Sequence, residues 1–356
     1  MKKVLHLCMI CLLAALLFTG CANGLSVPAF PEPSPSASAP ETSESPEASE
    51  AAESKPAAEQ SRFLSLQLES ANLKDNLIEA SPKMTLCVYL PPSYYESEKA
   101  YPVVYYLHGH GERVGGYGAV NRAAFDKAFE AGADEFIFVE IQGDRSYYVN
   151  SPVTGNWDDY IIDEAIPLID ESYRTLADRE SRGICGFSMG GFGALNLAIR
   201  HTDVFCAFYA MSPGLLKDDG MDEAMKSWRA DGSFLKDYAR AFAPDPDDEQ
   251  LGRIPTLDGS EADNAIVDQW LGGFGKIEEK IDTYLAQGTP LKAIGLSYGT
   301  KDTYAWIPKG TQYFSDYLTE KGIEHTLFVF EGFHEQPPNS AAEHLIPFFD
   351  ENLKFQ

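Results

Sequence analysis

Basic residues are scarce in this sequence: 28 Lys and Arg stand against 54 Asp and Glu, which gives a formal net charge of -26. A chain with this charge repels nucleic acid and anionic membrane surfaces, because both carry dense negative charge. No cluster of Lys and Arg is present that would offset the repulsion locally. Nucleic acid is therefore excluded as a partner, and neutral or cationic substrates are favoured over polyanions.

Cysteine is also scarce, with six residues in the whole chain. Three of these lie within the first 21 residues, and no pair among Cys87, Cys185 and Cys206 has the spacing of a metal or redox site. Cys185 and Cys206 lie in apolar stretches typical of strands. We therefore predict buried free thiols, with one disulfide as the alternative, and no metal site.

Long apolar runs are absent apart from Val4–Phe18, which is too short and wrongly flanked for a stable membrane span. This run follows two lysines and precedes small residues, which is the pattern of a signal peptide over residues 1–20. Cys21 directly after it resembles the cysteine of a bacterial lipobox, which is lipidated and becomes the mature N-terminus. We predict an exported, cell-surface lipoprotein anchored to the membrane through Cys21. An ordinary signal peptide with an unrelated cysteine is the alternative.

The segment 21–61 consists mainly of Pro, Ser, Ala and Glu and has almost no large apolar residues. Such a composition cannot bury enough surface to offset the entropy lost on ordering, so we predict a disordered tether. The rest of the chain, residues 62–356, is long enough for one large domain with a sizeable buried core.

From residue 62 onward, strand-like stretches alternate with helix-like stretches, which predicts an α/β fold with a mostly parallel central sheet and helices on both faces. Ligands bind at the carboxyl ends of strands in such sheets. A polar stretch rich in Asp and Gly, about residues 212–275, is predicted to be an irregular, cap-like insertion over the active site. The predicted strands are Arg62–Glu69, Lys83–Leu90, Pro102–Leu107, Glu135–Ile141, Gly183–Phe187, Val204–Met211, Leu291–Leu296 and His325–Phe330, and the predicted helices are Asn121–Ala131, Asp158–Tyr173, Gly190–Arg200, Lys276–Gln287, Ile307–Lys321 and Ser340–Asn352.

One pentapeptide, Gly186-Phe187-Ser188-Met189-Gly190, fits the pattern G-x-S-x-G between a predicted strand and a predicted helix. In this context the pattern indicates a strained turn that projects the serine hydroxyl, with glycines where neighbouring backbone passes close. Ser188 is therefore the predicted nucleophile. The backbone N–H of Met189, at the helix N-terminus, is the first predicted oxyanion donor. A glycine-rich turn that only packs a helix onto a strand is the alternative.

A base and an acid are needed to activate a serine hydroxyl. His334 follows the last predicted strand, where the chain order of serine, acid and histidine places the base. Asp302 follows the strand Leu291–Leu296, from which a carboxylate can orient the imidazole and stabilise the imidazolium. Two other acids compete with it: Asp282 lies on a helix, and Glu331 is too close to the histidine in sequence.

The loop 108–111 has the sequence His-Gly-His-Gly and follows the third predicted strand. We predict that it carries the second oxyanion donor, because glycines let backbone approach a bound carbonyl closely. The backbone N–H of His110 is the candidate for this role. Three side chains are candidate substrate contacts: the imidazole of His108 and the indoles of Trp157 and Trp306, which with the aromatics of the insertion can stack on sugar or aromatic groups. A core position is the alternative for these rings.

Together these stretches resemble the esterase family of α/β-hydrolases that includes esterase D (S-formylglutathione hydrolase), feruloyl and acetylxylan esterases, tributyrin esterases and mycolyltransferases. The resemblance implies the α/β-hydrolase fold, a triad of Ser188, Asp302 and His334, oxyanion donors at Met189 and His110, and no cofactor. One departure is the Glu-Gln-Pro-Pro sequence after His334, where many members carry tryptophans. The matching stretches are YPVVYYLHGHGE at Tyr101–Glu112, NSPVTGNWDDYI at Asn150–Ile161, SRGICGFSMGGFGAL at Ser181–Leu195, GTKDTY at Gly299–Tyr304 and EGFH at Glu331–His334.

The sequence thus predicts a serine carboxylic-ester hydrolase that acts through an acyl-enzyme. The expected substrate is a small-molecule or oligosaccharide ester outside the cell, with an acetyl or feruloyl group on carbohydrate or plant-wall material. A generalist short-chain carboxylesterase, a siderophore esterase and an acyltransferase are the alternatives within the enzyme class. A lipoprotein that binds a ligand without turnover is the alternative outside it. S-formylglutathione hydrolysis is not expected, because that substrate is cytosolic and this chain is predicted to be exported.

Overall fold

The computed structural model describes residues 62–230 and 232–356. Its strands match the predicted ones to within a few residues, and a short hairpin, β5 and β6, was not predicted. The strands are β1 (Phe63–Glu69), β2 (Lys83–Tyr89), β3 (Val103–Leu107), β4 (Ile137–Ile141), β5 (Asn150–Ser151), β6 (Gly155–Asn156), β7 (Arg182–Phe187), β8 (Ala207–Met211), β9 (Ala293–Gly299) and β10 (Thr326–Phe330).

Eight of these strands form one sheet in the order β1-β2-β4-β3-β7-β8-β9-β10. Strand β2 runs antiparallel to both β1 and β4, and all other neighbours are parallel. Because the carboxyl ends of the parallel strands meet at one edge of the sheet, the loops after β3, β7, β9 and β10 lie along that edge. The predicted α/β fold with a mostly parallel sheet is confirmed.

Helices cover both faces of this sheet. Alternate residues of β3 lie in two separate apolar cores, with Tyr105 in one and Tyr106 in the other, because successive side chains of a strand point to opposite faces. The helices are α1 (Gly116–Glu130), α2 (Trp157–Asp159), α3 (Ile166–Ser172), α4 (Met189–Arg200), α5 (Met221–Trp228), α6 (Gly232–Phe242), α7 (Glu261–Phe274), α8 (Ile277–Ala286), α9 (Trp306–Glu320) and α10 (Ile346–Asn352).

The start of one helix differs from the prediction for an identifiable reason. Helix α1 begins at Gly116, five residues before the predicted start, because the buried carboxylate of Glu140 accepts hydrogen bonds from the N–H groups of Gly115, Tyr117 and Gly118. This side chain satisfies N–H groups that a helix start leaves unpaired. Burial is the largest influence on Glu140 and raises the pKa of its carboxyl group.

Parts of the predicted helices 158–173 and 340–352 are not α-helical. Residues Tyr160–Ala165 and Ser340–Leu345 are wound as π-helix, and α3 and α10 follow them directly. Pro167 and Pro347 lie in the first turn of α3 and α10. A proline has no N–H to donate to the preceding turn, so the regular helical ladder cannot continue through it.

The insertion 212–275 is largely helical, which corrects the predicted irregular structure. Phe234, Tyr238 and Phe242 recur at every fourth position of α6 and place their rings on one face, as an amphipathic helix requires. The Ser260 hydroxyl accepts a hydrogen bond from the N–H of Asp263 and caps the start of α7. Charged residues on the exposed faces hid this apolar stripe in the sequence.

The predicted signal peptide, tether and lipidated Cys21 fall within residues 1–61, outside the described part of the chain, and stay predictions. Within the described ranges, no helix has the length and apolar character needed to span a bilayer. Cys87, Cys185 and Cys206 are free thiols, and the last two are buried, as predicted.

Candidate active site

Ser188 lies on the tight turn between β7 and α4. Its backbone has φ 56° and ψ -115°, a conformation that non-glycine residues rarely adopt. The turn is held from both sides: the Ser188 N–H donates to the Met211 carbonyl at 2.9 Å, and its carbonyl accepts from the Phe192 N–H at 3.0 Å. Strain of this kind is typical of functional positions, because surrounding structure must maintain it.

The glycines on either side of this turn face backbone at very short range. A Cβ atom on Gly190 would lie 1.9 Å from the Leu107 carbonyl oxygen, and one on Gly186 would lie 2.2 Å from the Gly190 carbonyl oxygen. Real Cβ atoms do not approach backbone atoms this closely. Only glycine therefore fits where α4 begins against the end of β3.

Replacing Gly190 with alanine is expected to destabilise the folded state by about 3 kcal/mol or more, because the new methyl group meets backbone that cannot move aside cheaply. Gly272 is the matched control, because a Cβ there has no heavy atom within 4 Å. Gly272→Ala is expected to stabilise the protein by up to about 1 kcal/mol, as alanine does within a helix. Urea unfolding measures both changes, and equal stability of Gly190→Ala and the unsubstituted chain would contradict the packing described.

The three side chains that the sequence singled out as a triad lie in one hydrogen-bonded chain. His334 Nε2 is 2.8 Å from Ser188 Oγ, and His334 Nδ1 is 2.8 Å from Asp302 Oδ2. The Asp302 side chain is fully buried, and its other oxygen accepts from the Tyr304 N–H at 2.8 Å. The carboxylate therefore has both oxygens occupied and can hold the imidazole in one orientation.

Neighbouring groups fix the position of the His334 ring. Phe187 packs against it at a centroid distance of 5.1 Å, and Tyr304 meets it edge-on at 5.0 Å. The loops that follow β9 and β10 are also in close contact, since a Cβ on Gly299 would lie 2.5 Å from the Gly332 carbonyl oxygen. The acid and the histidine are thus carried by two loops packed directly on each other.

Both residues that the sequence proposed as oxyanion donors line the same cavity as Ser188. The backbone N–H groups of Met189 and His110 have no hydrogen-bond partner among the described residues. The His110 imidazole lies 3.2 Å from Asp237 Oδ2 on α6, which orients this side chain towards the insertion.

A cavity of about 270 Å³ opens beside the Ser188 hydroxyl, and we call it the catalytic cavity. Residues of the insertion form one of its walls, so the insertion does cover part of the site. Trp228 is buried, and its indole N–H has no hydrogen-bond partner within residues 62–230 and 232–356. The aromatic residues that line the cavity are Phe187, Trp228, Phe234, Phe274, Tyr304 and Trp306.

His108 does not line the catalytic cavity, which corrects its predicted role as a substrate contact. The Gly143 N–H donates to its Nε2 at 3.0 Å, which assigns the proton to Nδ1, 2.9 Å from the Gly109 carbonyl oxygen. Burial lowers the pKa of His108 and favours this neutral form. The ring therefore braces the loop after β3 against the loop after β4.

The two tryptophans predicted as substrate contacts have different positions. Trp157 is 1 % exposed, donates its indole N–H to the Thr154 carbonyl at 2.9 Å, and lines a different cavity from the catalytic one, so its predicted role stays a prediction. Trp306 lines the catalytic cavity and donates to Ser227 Oγ at 3.1 Å. Trp306 lies four residues after the predicted acid Asp302, and this proximity was a signal that Trp157 lacked.

Several lining residues were not identified as site residues from the sequence. Phe187 and Tyr304 are next to or within two residues of predicted catalytic positions, and that proximity was the available signal. Asp237 gave no such signal, because its contact with His110 joins positions more than a hundred residues apart. No group of His, Cys, Asp and Glu side chains suited to a metal ion occurs in the described part of the chain.

Comparison with known proteins places the chain among esterases. The family model described as "Putative esterase" matches residues 79–262. An esterase of Mycobacterium tuberculosis is 34% identical over 142 residues, which cover 37% of this chain and 30% of that protein. An endo-1,4-beta-xylanase/feruloyl esterase of Xylanibacter ruminicola is 30% identical over 148 residues, which cover 38% of this chain and 20% of that protein. The chain thus spans less than a third of the length of these two relatives.

Solved structures share the fold over a longer range. A ferulic acid esterase superimposes with a TM-score of 0.55 at 24% identity, covering 82% of this chain and 98% of that one. The ferulic acid esterase of Anaeromyces mucronatus in complex with ferulic acid has a TM-score of 0.52 at 20% identity, covering 84% of this chain and 93% of that one. These likenesses show the α/β-hydrolase fold, and the family match covers more than half of the sequence: the chain belongs to this esterase family.

Proposed function

We propose that the chain is a serine esterase that cleaves carboxylic esters through an acyl-enzyme. The observation that carries this proposal is the hydrogen-bonded chain from Ser188 Oγ through His334 to the buried Asp302. In the first step His334 takes the hydroxyl proton as Ser188 attacks the ester carbonyl carbon. The amides of Met189 and His110 stabilise the negative oxygen of the resulting tetrahedral intermediate.

The remaining steps return the enzyme to its starting state. When the tetrahedral intermediate collapses, the bond to the alcohol oxygen breaks and His334 donates its proton to the leaving alcohol. Water then gives a proton to His334 and attacks the acyl-enzyme, which releases the acid and the Ser188 hydroxyl. Asp302 stabilises the imidazolium formed in both halves of the cycle.

The acyl group that best fits the catalytic cavity is aromatic. The walls are mainly aromatic rings, which favour stacked or edge-on contacts with another ring. Feruloyl esters carry such a ring, and one relative and two structural neighbours are named as feruloyl or ferulic acid esterases.

The test compares p-nitrophenyl ferulate with p-nitrophenyl acetate, which share a leaving group, so that only the acyl group differs. We expect kcat/KM to be at least about tenfold higher for the ferulate, the size of discrimination that an apolar pocket provides. A smaller preference would favour a generalist short-chain carboxylesterase. Folded protein that neither hydrolyses these esters nor reacts with a fluorophosphonate probe would favour a binding protein without turnover.

A further inference from the structure

The loop after β3, which carries the oxyanion donor His110, has little restraint from its own backbone. His110 lies between two glycines, and the second of them, Gly111, has a positive φ of 80°. A Cβ atom on Gly111 would have no described heavy atom within 4 Å, so no neighbouring group confines the backbone at that point. Because glycine has more conformational freedom than any other residue, contacts from elsewhere must fix the direction of the His110 N–H.

Glu112 fixes the two ends of this loop to each other. Its carboxylate accepts from the Gly109 N–H at 2.8 Å, and its own N–H donates to the Gly109 carbonyl at 3.1 Å. These two bonds close a tight turn with His110 and Gly111 at its centre. The Gly109 N–H is thereby occupied, and of the two central residues His110 alone lines the catalytic cavity.

The central residue has a second anchor, and the insertion provides it. His110 Nε2 is 3.2 Å from Asp237 Oδ2 on α6, and because a carboxylate only accepts, the ring nitrogen is the donor. The two side chains are 13% and 15% exposed, and a hydrogen bond to a charged group is stronger where water is mostly excluded. Arg145, on the loop after β4, approaches the same carboxylate oxygen at 3.4 Å and helps to hold it in place.

Aromatic rings surround the same imidazole. Phe234 lies 5.1 Å and Tyr147 5.8 Å from it, measured between ring centroids. Phe234 precedes Asp237 by three residues on α6, so one face of this helix supplies both contacts. Phe234 lines the catalytic cavity and Asp237 does not, so the aromatic wall can vary while the carboxylate keeps its contact. Any effect of Asp237 on the reaction therefore passes through His110.

We propose that Asp237 is a positioning residue for the oxyanion hole: by binding the His110 side chain, it holds the His110 backbone N–H towards the ester carbonyl at Ser188. The inference rests on the proposed esterase function and adds the part of the oxyanion hole that the insertion supplies. The developing negative oxygen then meets a donor whose direction is already set, which is the arrangement that stabilises it best. Without Asp237, the turn closed by Glu112 remains, but its central residue loses its anchor.

The test uses two substrates that differ in one atom, p-nitrophenyl ferulate and its thiono analogue, in which sulfur replaces the carbonyl oxygen. Sulfur is a weak hydrogen-bond acceptor, so the thiono ester gains little from the oxyanion donors. The readout is the ratio of kcat/KM for the oxygen ester to kcat/KM for the thiono ester, measured on the full chain. Damage to the triad, to acyl binding or to the fold lowers both rates and leaves this oxygen-to-sulfur ratio unchanged.

Asp237→Ala is expected to lower the oxygen-to-sulfur ratio by about tenfold. This is a fraction of the 100- to 1000-fold loss that is typical when an oxyanion donor is deleted, because here the N–H is displaced and not removed. Asp237→Asn keeps an oxygen that accepts from the imidazole N–H, so its ratio should stay within about threefold of that of the unsubstituted chain.

His110→Ala reads the same contact from its other side. The substitution keeps the backbone N–H and removes the side chain that Asp237 binds, so the ratio should fall by a similar factor. It also replaces Asp237→Ala as the test if that variant does not fold. In the double variant the ratio should fall no further than in the single variants, because the two residues act through one hydrogen bond.

Asp268 is the matched control for the loss of a carboxylate from the insertion. It lies on α7, pairs with Lys276 at 2.8 Å, and its side chain is 67% exposed. Asp268→Ala removes the same charge as Asp237→Ala but does not touch the loop after β3. The oxygen-to-sulfur ratio should therefore be that of the unsubstituted chain.

The outcomes separate this inference from the proposed function. If the folded, unsubstituted chain hydrolyses neither ester, the proposed function itself fails. If it hydrolyses the oxygen ester but Asp237→Ala or His110→Ala folds and keeps the full ratio, the positioning role is wrong while the esterase function stands. An equal fall of the ratio in Asp268→Ala would also overturn the role, because it would trace the effect to the charge of the insertion as a whole.

Discussion

Replacing Ser188 with alanine is expected to reduce kcat for p-nitrophenyl ferulate by about 10⁵- to 10⁶-fold, the loss seen when a catalytic serine is removed from a triad. Without the hydroxyl no acyl-enzyme forms, and His334 has no proton to accept. The oxyanion donors and substrate binding remain, so a residual acceleration of about 10³- to 10⁴-fold over water is expected. Initial rates at saturating substrate measure the loss.

The fold should be unchanged in this variant. Among the described residues the Ser188 hydroxyl is hydrogen-bonded to His334 Nε2 alone, and alanine keeps the Cβ atom in the same turn. Ser181 is the matched control: it precedes β7, as Ser188 follows it, and its hydroxyl donates to the Lys354 carbonyl at 2.7 Å. Ser181→Ala should leave kcat unchanged. A folded Ser188→Ala variant with the rate of the unsubstituted chain would rule out this residue as the nucleophile.

Replacing Asp302 with asparagine is expected to lower kcat by about 10⁴-fold, because the amide nitrogen that then faces Nδ1 donates a hydrogen bond instead of accepting one and favours the wrong imidazole tautomer. The substitution preserves size, and the oxygen that accepts from the Tyr304 N–H can remain in place. KM should change much less than kcat, because Asp302 does not line the catalytic cavity. Steady-state kinetics on p-nitrophenyl ferulate separates the two parameters.

Glu331 provides the control for this second substitution. It is a carboxylate close to His334 in sequence, but its side chain is 77% exposed and pairs with Lys301. Glu331→Gln removes one negative charge from the loop that carries His334 and should leave kcat unchanged, because exposed ion pairs contribute little. Equal losses in Asp302→Asn and Glu331→Gln would show that the general negative charge around His334 matters and that no specific acid does.

The order of strands and helices could be predicted from the sequence because it rests on local patterns. Strand β3 is a continuous apolar run, and both of its faces are buried. Strand β2 alternates between apolar and polar residues, and mainly one of its faces is buried. The approximate position of Ser188, Asp302 and His334 followed from the same order, because each comes directly after a strand that ends at one edge of the sheet.

Contacts between distant segments could not be predicted in this way. Trp157 and Trp306 look alike in the sequence, yet the first donates its indole N–H to the turn between β5 and β6 and lies outside the catalytic cavity, whereas the second lines it. His108 was a candidate substrate contact because of its loop. Its Nε2, however, accepts a hydrogen bond from the N–H of Gly143, which follows β4. Such assignments depend on which loops become neighbours, and no local pattern encodes that.

Half of the aromatic residues that line the catalytic cavity come from a different stretch of the chain than the reacting groups. Trp228, Phe234 and Phe274 belong to the helices between β8 and β9, whereas Ser188 and His334 lie outside that stretch. Mutations that accumulate between residues 212 and 275 can therefore alter which acid is accepted while the bond-breaking atoms keep their places. Substrate specificity and catalysis can therefore evolve separately in this architecture. Proteins descended from one ancestral gene can come to accept different esters while they keep the same hydrolytic mechanism.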